Sequence, residues 1–480
     1  MIFCIFAGLK ITTMKRFSYI LLTALIALGC SSEPQPKYVF YFIGDGMGIN
    51  QVRGTELYNS ATGNGPEVVN FSHFPVISYV TTHSADALVT DSAAAGTALS
   101  TGVKTYNYGM GVDAEGNPVE DLGEWAKAAG AGVGVITSVG VNHATPAAFY
   151  AHTKTRSNYE EISRQLISSS VDFAAGAAFL MDKKTELTPA YYEQMARDSS
   201  ITIFKGPDFT GADLVPGRLI CLSGKDEHEL PYAIDRKEDD TQLKDFVKAG
   251  IAYLESHFAK EGFFVMIEGG KIDYSGHSND AVTTFMETND MAYSVDLALE
   301  FMERHPDQTL IVVTADHETG GLVLGAGNYS MHPERLAWQK SSILALTAMF
   351  RDEFFPEDKP YKTPSWEKVK NFFEDNLGLW ENVEVSKEEE ETLKELYRQT
   401  FGKGGNKDLS TKDLYSVNYK IVWEAIRCLD LAADFQYGHG SHSGSPVGVY
   451  AIGIGAEAFG GLHDNTEIPT TIAKVAGYKK

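Results

Sequence analysis

The sequence predicts a three-layer α/β/α protein with a large, mostly parallel central sheet and a helical insertion late in the chain. Short apolar runs rich in β-branched and aromatic residues recur at Tyr38–Ile43, Val133–Thr137, Arg218–Leu222, Phe263–Ile267, Thr309–Val313 and Val447–Ile452. Unbroken runs of this kind are strands buried on both faces. Helical patterns lie between them, among them Glu160–Ser168, Leu243–Phe258 and Ala281–Arg304, and that alternation lays the strands parallel with helices on either side. Several strands end in Gly, Asp, Ser or His, at the carboxyl edge where α/β proteins collect their chemistry.

A chain of 480 residues, 43% hydrophobic and 22% charged, buries a large core and is not of the disordered class. The length fits one large domain or two medium ones. The formal net charge is −23, which makes nucleic acid and anionic membrane surfaces poor partners. An anionic substrate would be repelled at long range unless bound cations dominate locally.

The first 30 residues form an export segment. Lys15 and Arg16 precede an apolar run from Tyr19 to Leu28 that ends at Gly29-Cys30, too short to span a bilayer comfortably. A small residue, a cysteine and then the polar Ser31-Ser32-Glu33-Pro34 resemble a bacterial lipoprotein signal with Cys30 lipidated, for a periplasmic or outer-membrane location; a plain signal peptide or short anchor is the alternative. Apart from Cys4 and Cys30, the cysteines are Cys221 and Cys428, and spacing leaves open whether these two pair or stay as buried thiols.

The remainder, from 37 to 480, carries the chemistry. After the first strand comes Gly44-Asp45-Gly46-Met47-Gly48, where glycines around one carboxylate let the backbone turn sharply and approach an ion or phosphate. Thr90-Asp91-Ser92-Ala93-Ala94-Ala95 suits a helix beginning at the serine, with the Ser92 hydroxyl at a positive helix end; Asp91-Ser92 is equally an N-cap. Asn142-His143-Ala144-Thr145-Pro146 follows, then Arg156. Glu268-Gly269-Gly270-Lys271-Ile272-Asp273-Tyr274-Ser275-Gly276-His277 comes directly after a strand. Asp273 and His277 are four apart and face one way on a helix, where they can share a metal. Asp316-His317 also follows a strand, and for both to ligate one ion the chain must bend there. Gly440-Ser441-His442-Ser443-Gly444 precedes the last strand. His442 is preferred to the nearby His439 because it directly precedes that strand within a His-Ser-Gly signature.

Residues 334 to 434 read differently. Lys, Glu, Trp and Phe at helical spacing predict helices over Trp366–Phe373, Ser386–Phe401 and Leu414–Leu431, with a break at Gly402–Gly405. This is the helical insertion, a cap, an interface or a decorated loop.

Taken in order, IGDGMG, TDSAAAGTA, HATPAA, EGGKID with a later His, TADH and HSG resemble the alkaline phosphatase family over nearly the whole chain from Lys37, the insertion excepted. The resemblance implies hydrolysis of small-molecule phosphate monoesters through a phosphoserine on Ser92. It implies one Zn²⁺ held by Asp273, His277 and His442 and a second by Asp45, Asp316 and His317. A third cation, Mg²⁺ or in this chain Zn²⁺, would lie near Asp45, Thr145 and Glu268, and Arg156 would grip two phosphate oxygens. His143 stands where the best-known bacterial members carry Asp, and Tyr274 where Lys or His reaches the phosphate; both are expected at the substrate. Family members are often homodimers. A phosphodiesterase of the same superfamily is the rival expectation, and a phosphate-binding lipoprotein without catalysis a more distant one. No Cys/Ser-x-Pro-x-Arg context surrounds Ser92, which disfavours a sulfatase.

Overall fold

Seven consecutive residues with no charged side chain, YVFYFIG, make the strand on which the fold is centred. This is β1, Tyr38–Gly44, all of it buried. A computed structural model describes residues 34–182, 187–225, 228–325, 327, 329–357 and 362–478; the expected export segment, with Cys30, lies outside the described residues. The other strands of the main sheet are β2 (Val76–Val80), β3 (Gly132–Thr137), β4 (Phe173–Gly176), β5 (Thr202–Lys205), β6 (Leu219–Leu222), β7 (Phe263–Gly269), β8 (Thr309–Ala315) and β9 (Val447–Gly453). They form a nine-stranded sheet in the order β2-β9-β8-β1-β7-β3-β4-β6-β5. Neighbours from β8 across to β5 are parallel, and β9 runs against both β8 and β2.

Alternate residues of β1 serve opposite layers, as the two-residue period of a strand demands. Tyr38 and Phe40 pack edge-on against Phe301 of a long helix, Ala281–Arg304. Tyr41 points the other way, to Phe149, which also stacks on Phe264 of β7. Burial on both faces explains the unbroken apolar run. The strands that sequence patterning misses are β2, β4 and β5. Two of these, β2 and β5, are sheet edges with partly exposed residues, and β4 is the short, alanine-containing FAAG.

Register sets the site. Gly44 of β1 lies opposite Gly269 of β7 on one side and Ala315 of β8 on the other, and Thr137 of β3 lies opposite Glu268. Four central strands therefore end at one level, and the residues just beyond them meet over the carboxyl edge of the sheet. Helices that start there are α1 (Ile49–Thr62), α2 (Ser92–Thr101) and α3 (Lys271–His277); the Ala281–Arg304 helix is α4.

The helices between Ile343 and Ala432 pack around a second hydrophobic core. Helices Ile343–Phe354, Trp366–Leu377, Lys387–Phe401 and Lys420–Ala432 bury Phe350, Phe354, Phe373 and Phe401 together. That core continues onto Tyr58 of α1 and Phe285 of α4. One expectation fails here, because Leu414–Leu431 is not a single helix. A hairpin of Ser410–Lys412 with Val417–Tyr419 precedes a helix that begins only at Lys420. The Asp413 side chain causes this: its Oδ1 accepts from the backbone N–H of Tyr415 at 2.9 Å and of Ser416 at 2.5 Å, an Asx-type turn that competes with a helix. Among the described residues no helix is long and apolar enough to cross a membrane.

Candidate active site

Asp45, Asp316 and His317 are the residues next after β1 and β8. The chain turns at each, so that side chains of adjacent strands converge. Nε2 of His317 is 3.3 Å from Oδ2 of Asp316 and 3.5 Å from Oδ1 of Asp45. The bend needed to bring Asp316 and His317 together is held by Oδ1 of Asp316, which accepts from the N–H of His317 at 2.8 Å and of Gly46 at 3.1 Å. Gly46 has φ of 74°, and a Cβ there would sit 2.7 Å from Cα of Asp273. Only glycine satisfies both the turn and the close approach.

Ser92 begins α2. Asp91 caps that helix, its Oδ1 accepting from the N–H of Ala94 at 3.1 Å, so both readings of the Asp-Ser pair hold at once. The hydroxyl of Ser92 is fully buried and lies 3.3 Å from Nε2 of His317. It thus faces the Asp45–Asp316–His317 group from the positive end of a ten-residue helix.

A second group forms beside the first. Asp273 and His277 share one face of α3, with Nε2 of His277 3.3 Å from Oδ2 of Asp273. His442 arrives from the short strand His442–Ser443, which pairs with Glu318–Thr319; its Nε2 is 3.5 Å from Oδ1 of Asp273 and 3.1 Å from Nε2 of His277. Both imidazoles use Nδ1 on backbone carbonyls, His277 on Gly440 at 2.9 Å and His442 on Thr90 at 2.8 Å. A neutral imidazole donating through Nδ1 presents a lone pair at Nε2. Once His277 gives up its Nε2 proton, two such lone pairs and a carboxylate converge on one point. His439 does not join them; its Nδ1 accepts from the Ser441 N–H.

Glu268 and Thr145 complete a third cluster with Asp45 and His143. Ligand atoms of Asp45, His143 and Glu268 lie within 4.8 Å of one another, and Thr145 donates to Oδ2 of Asp45 at 3.4 Å. Arg156 is nearby, donating from Nη1 to Oδ2 of Asp91 at 3.1 Å and from Nη2 to Nε2 of His143 at 3.0 Å. Tyr274 is buried near His143, ring centroids 6.0 Å apart. Every site residue named from the sequence, Cys30 apart, is therefore in one region.

The charges are arranged at the expense of the protein's own stability. Burial, and then the neighbouring carboxylates, push Asp45 and Asp316 far above the ordinary range, and burial raises Glu268 to about 7. Burial would raise Asp273 too, but His277 and His442 outweigh it and hold it well below the usual range. His277, despite burial, is raised to about 9 by Asp273, whereas burial lowers His317 and His442. Burial and the Arg156 charge lower His143 to about 3, so its Nε2 is free to accept the hydrogen bond that Arg156 donates. Oδ1 of Asp45, Oδ2 of Asp273, Oδ2 of Asp316 and Oε1 of Glu268 are buried without a hydrogen-bond partner. Such orphaned carboxyl oxygens, costly to ionise without a counter-charge and with imidazole nitrogens among them, fit divalent cations.

Some supporting residues escaped the sequence reading. Thr319 bonds Oδ1 of Asp273 and lies 3.3 Å from Nδ1 of His317, and Thr137 bonds Oε2 of Glu268. A strand-end threonine carries no motif, so neither had a signal. A further acidic cluster, Asp121, Glu124 and His152, has a structural account: Asp121 and Glu124 are the capping box of the helix Leu122–Ala128, and His152 faces Glu124 at 3.7 Å.

Comparison with known proteins agrees with this geometry. The family model described as Alkaline phosphatase matches residues 36–178 and 222–478. Alkaline phosphatase 4 of Bacillus subtilis (strain 168) is 31% identical over 452 residues, 92% of this chain and 88% of the relative. Alkaline phosphatase 3 of the same organism is 30% identical over 470 residues, 93% and 90% of the two chains. Among solved structures, the cold-active alkaline phosphatase of the psychrophile Shewanella sp. superposes with a TM-score of 0.72 at 26% identity, covering 92% of this chain and 99% of that one. With the match spread over the sheet, the strand ends and the loops that converge on Ser92, the chain belongs to the alkaline phosphatase family and is a phosphate monoester hydrolase.

Proposed function

We propose that the reaction proceeds through a phosphoserine on Ser92. Oγ of Ser92 attacks phosphorus and displaces the ester's alcohol; water then attacks the phosphoserine, which releases phosphate and restores the hydroxyl. The observation that carries this reading is the position of Oγ: at the first residue of α2 and 3.3 Å from Nε2 of His317, with the Asp273 group beside it. A hydroxyl at a helix N-terminus attacks a phosphoryl group whose oxygens meet the helix's positive end.

Asp273, His277 and His442 would hold one Zn²⁺, and Asp45, Asp316 and His317 another. Asp45, Thr145 and Glu268 would hold a third cation, and their oxygen donors suit Mg²⁺. Bound zinc would lower the pKa of the serine hydroxyl and offset charge on the attacking and leaving oxygens. The chain's own residues supply the rest. Arg156 uses two of its five N–H groups on Asp91 and His143, which fixes the guanidinium plane and leaves the remaining donors for phosphate oxygens. His143 stays neutral and adds no charge to the substrate site. Tyr274 is a neutral group at the position where, by the family resemblance, Lys or His commonly reaches the phosphate, so phosphate binding rests more heavily on Arg156.

Ser92→Ala separates chemistry from assembly. The variant keeps the metal content of the parent and loses turnover of p-nitrophenyl phosphate. Undiminished turnover would remove Ser92 from the reaction. For the N-terminal segment we propose export with a lipid on Cys30, read out by the mass of the mature N-terminus from a bacterial host; a cleavage site elsewhere would reject it.

A further inference from the structure

The insertion sends one side chain into the site. Tyr415 lies in the turn between Ser410–Lys412 and Val417–Tyr419. Its ring stacks on Tyr274, with centroids 3.6 Å apart and planes at 19°. It meets His277 edge-on at 5.4 Å and lies 6.3 Å from the His143 ring. The Tyr415 hydroxyl is buried with no hydrogen-bond partner, although a buried phenol normally finds one.

The turn that carries Tyr415 is fixed to the catalytic face. Asp413 holds the turn from inside, and its Oδ2 accepts at 2.6 Å from Ser416 and at 2.7 Å from Ser278. Ser278 directly follows His277, so the hairpin is tied to the end of α3. Tyr415 adjoins Arg156 through His143, whose ring lies 6.3 Å from that of Tyr415 and whose Nε2 accepts from Nη2 of Arg156 at 3.0 Å. A donor hydroxyl held rigidly on the side of the site where His143 and Arg156 meet is placed for the same ligand.

We propose that Tyr415 is a substrate-binding residue contributed by the insertion, its hydroxyl donating a hydrogen bond to an oxygen of the phosphoryl group that Arg156 holds. This rests on the phosphoryl-transfer reading of the Ser92 site. It also gives the insertion a role in the reaction, since the hairpin completes the wall that Tyr274 begins.

Tyr415→Phe keeps the ring stack and removes only the hydroxyl. In the enzyme loaded with zinc and magnesium, the inhibition constant for inorganic phosphate and KM for p-nitrophenyl phosphate should each rise roughly tenfold, the usual effect of one lost hydrogen bond to a charged group. The thermal midpoint should stay that of the parent. Tyr415→Ala, which also removes the stack, should weaken phosphate at least as much. A phenylalanine variant with the parent's phosphate inhibition constant would overturn the proposal and leave Tyr415 as packing. Calorimetric titration with inorganic phosphate keeps the two levels apart. If the parent turns over no ester but binds phosphate, and the phenylalanine variant binds it less tightly, the reaction falls and the contact stands.

Discussion

Nε2 of His277 faces Nε2 of His442 at 3.1 Å, each ring being anchored through Nδ1 to a backbone carbonyl. Neutral rings in that orientation repel, because two lone pairs point at one another beside the Asp273 carboxylate. A divalent cation between them turns the repulsion into ligation. His442→Ala should therefore bind one zinc fewer per chain by elemental analysis, and His439→Ala should match the parent. Equal zinc in both variants would contradict the assignment.

Thr319 tests the outer support of the same group. Its hydroxyl bonds Asp273 and reaches His317, so it orients ligands of both proposed zinc sites. Outer partners of this kind are worth about 10- to 100-fold in metal affinity. Thr319→Val should lose zinc to a chelator at concentrations the parent withstands, with an unchanged circular dichroism spectrum.

Asp91 has two separable duties. It caps α2 through Ala94 and holds Arg156 through Oδ2. Asparagine caps a helix about as well as aspartate, so Asp91→Asn should keep the parent's thermal midpoint while raising KM. Asp91→Ala should lose about 1 kcal/mol of stability in addition. Chemical denaturation and steady-state kinetics on the two variants separate the effects.

The pH dependence of the metal-free protein follows from Glu268 and His277. Glu268, raised by burial to about 7, is protonated in the folded state where the unfolded chain is already ionised, so stability falls as pH rises from about 4.5 to 7. His277, raised by Asp273 to about 9, contributes stability below about 6.5 that is lost as pH rises through 9. Both slopes have one sign. After chelation the thermal midpoint should drop as pH rises from about 6.5 to 9 relative to the zinc-loaded protein, above the range where the lowered His143, His317 and His442 act in the opposite sense. A constant gap across that range would count against the electrostatic account.

Gly46→Ala should be severe. The residue has φ of 74° and its Cβ would lie 2.7 Å from Cα of Asp273, so the strained turn must shift and take Asp45 or Asp273 with it. A loss of more than about 1 kcal/mol is expected from the backbone conformation, together with reduced zinc content. A stable, zinc-replete variant would show that the turn tolerates movement.

Much of the site was legible because its residues sit at strand ends, where an apolar run stops abruptly at Asp45, Glu268 or Asp316. The helix at Asp273–His277 could be read from the four-residue spacing. What could not be read depends on registry between distant segments. Thr137 and Thr319 act only because β3 meets β7 and because Glu318–Thr319 meets His442–Ser443. Tyr415 was hidden for a related reason. Its helical spacing pointed to one long helix, and the Asp413 side chain breaks that pattern into a hairpin whose turn reaches the active site.

The most direct test is to quench the zinc-loaded enzyme with acid during turnover and map any covalent phosphoryl group by peptide mass spectrometry. The geometry predicts one phosphoryl group on the peptide that begins α2, at Ser92, absent from Ser92→Ala. A phosphoryl group on another residue, or none under conditions where acid-stable phosphoserine accumulates, would contradict it.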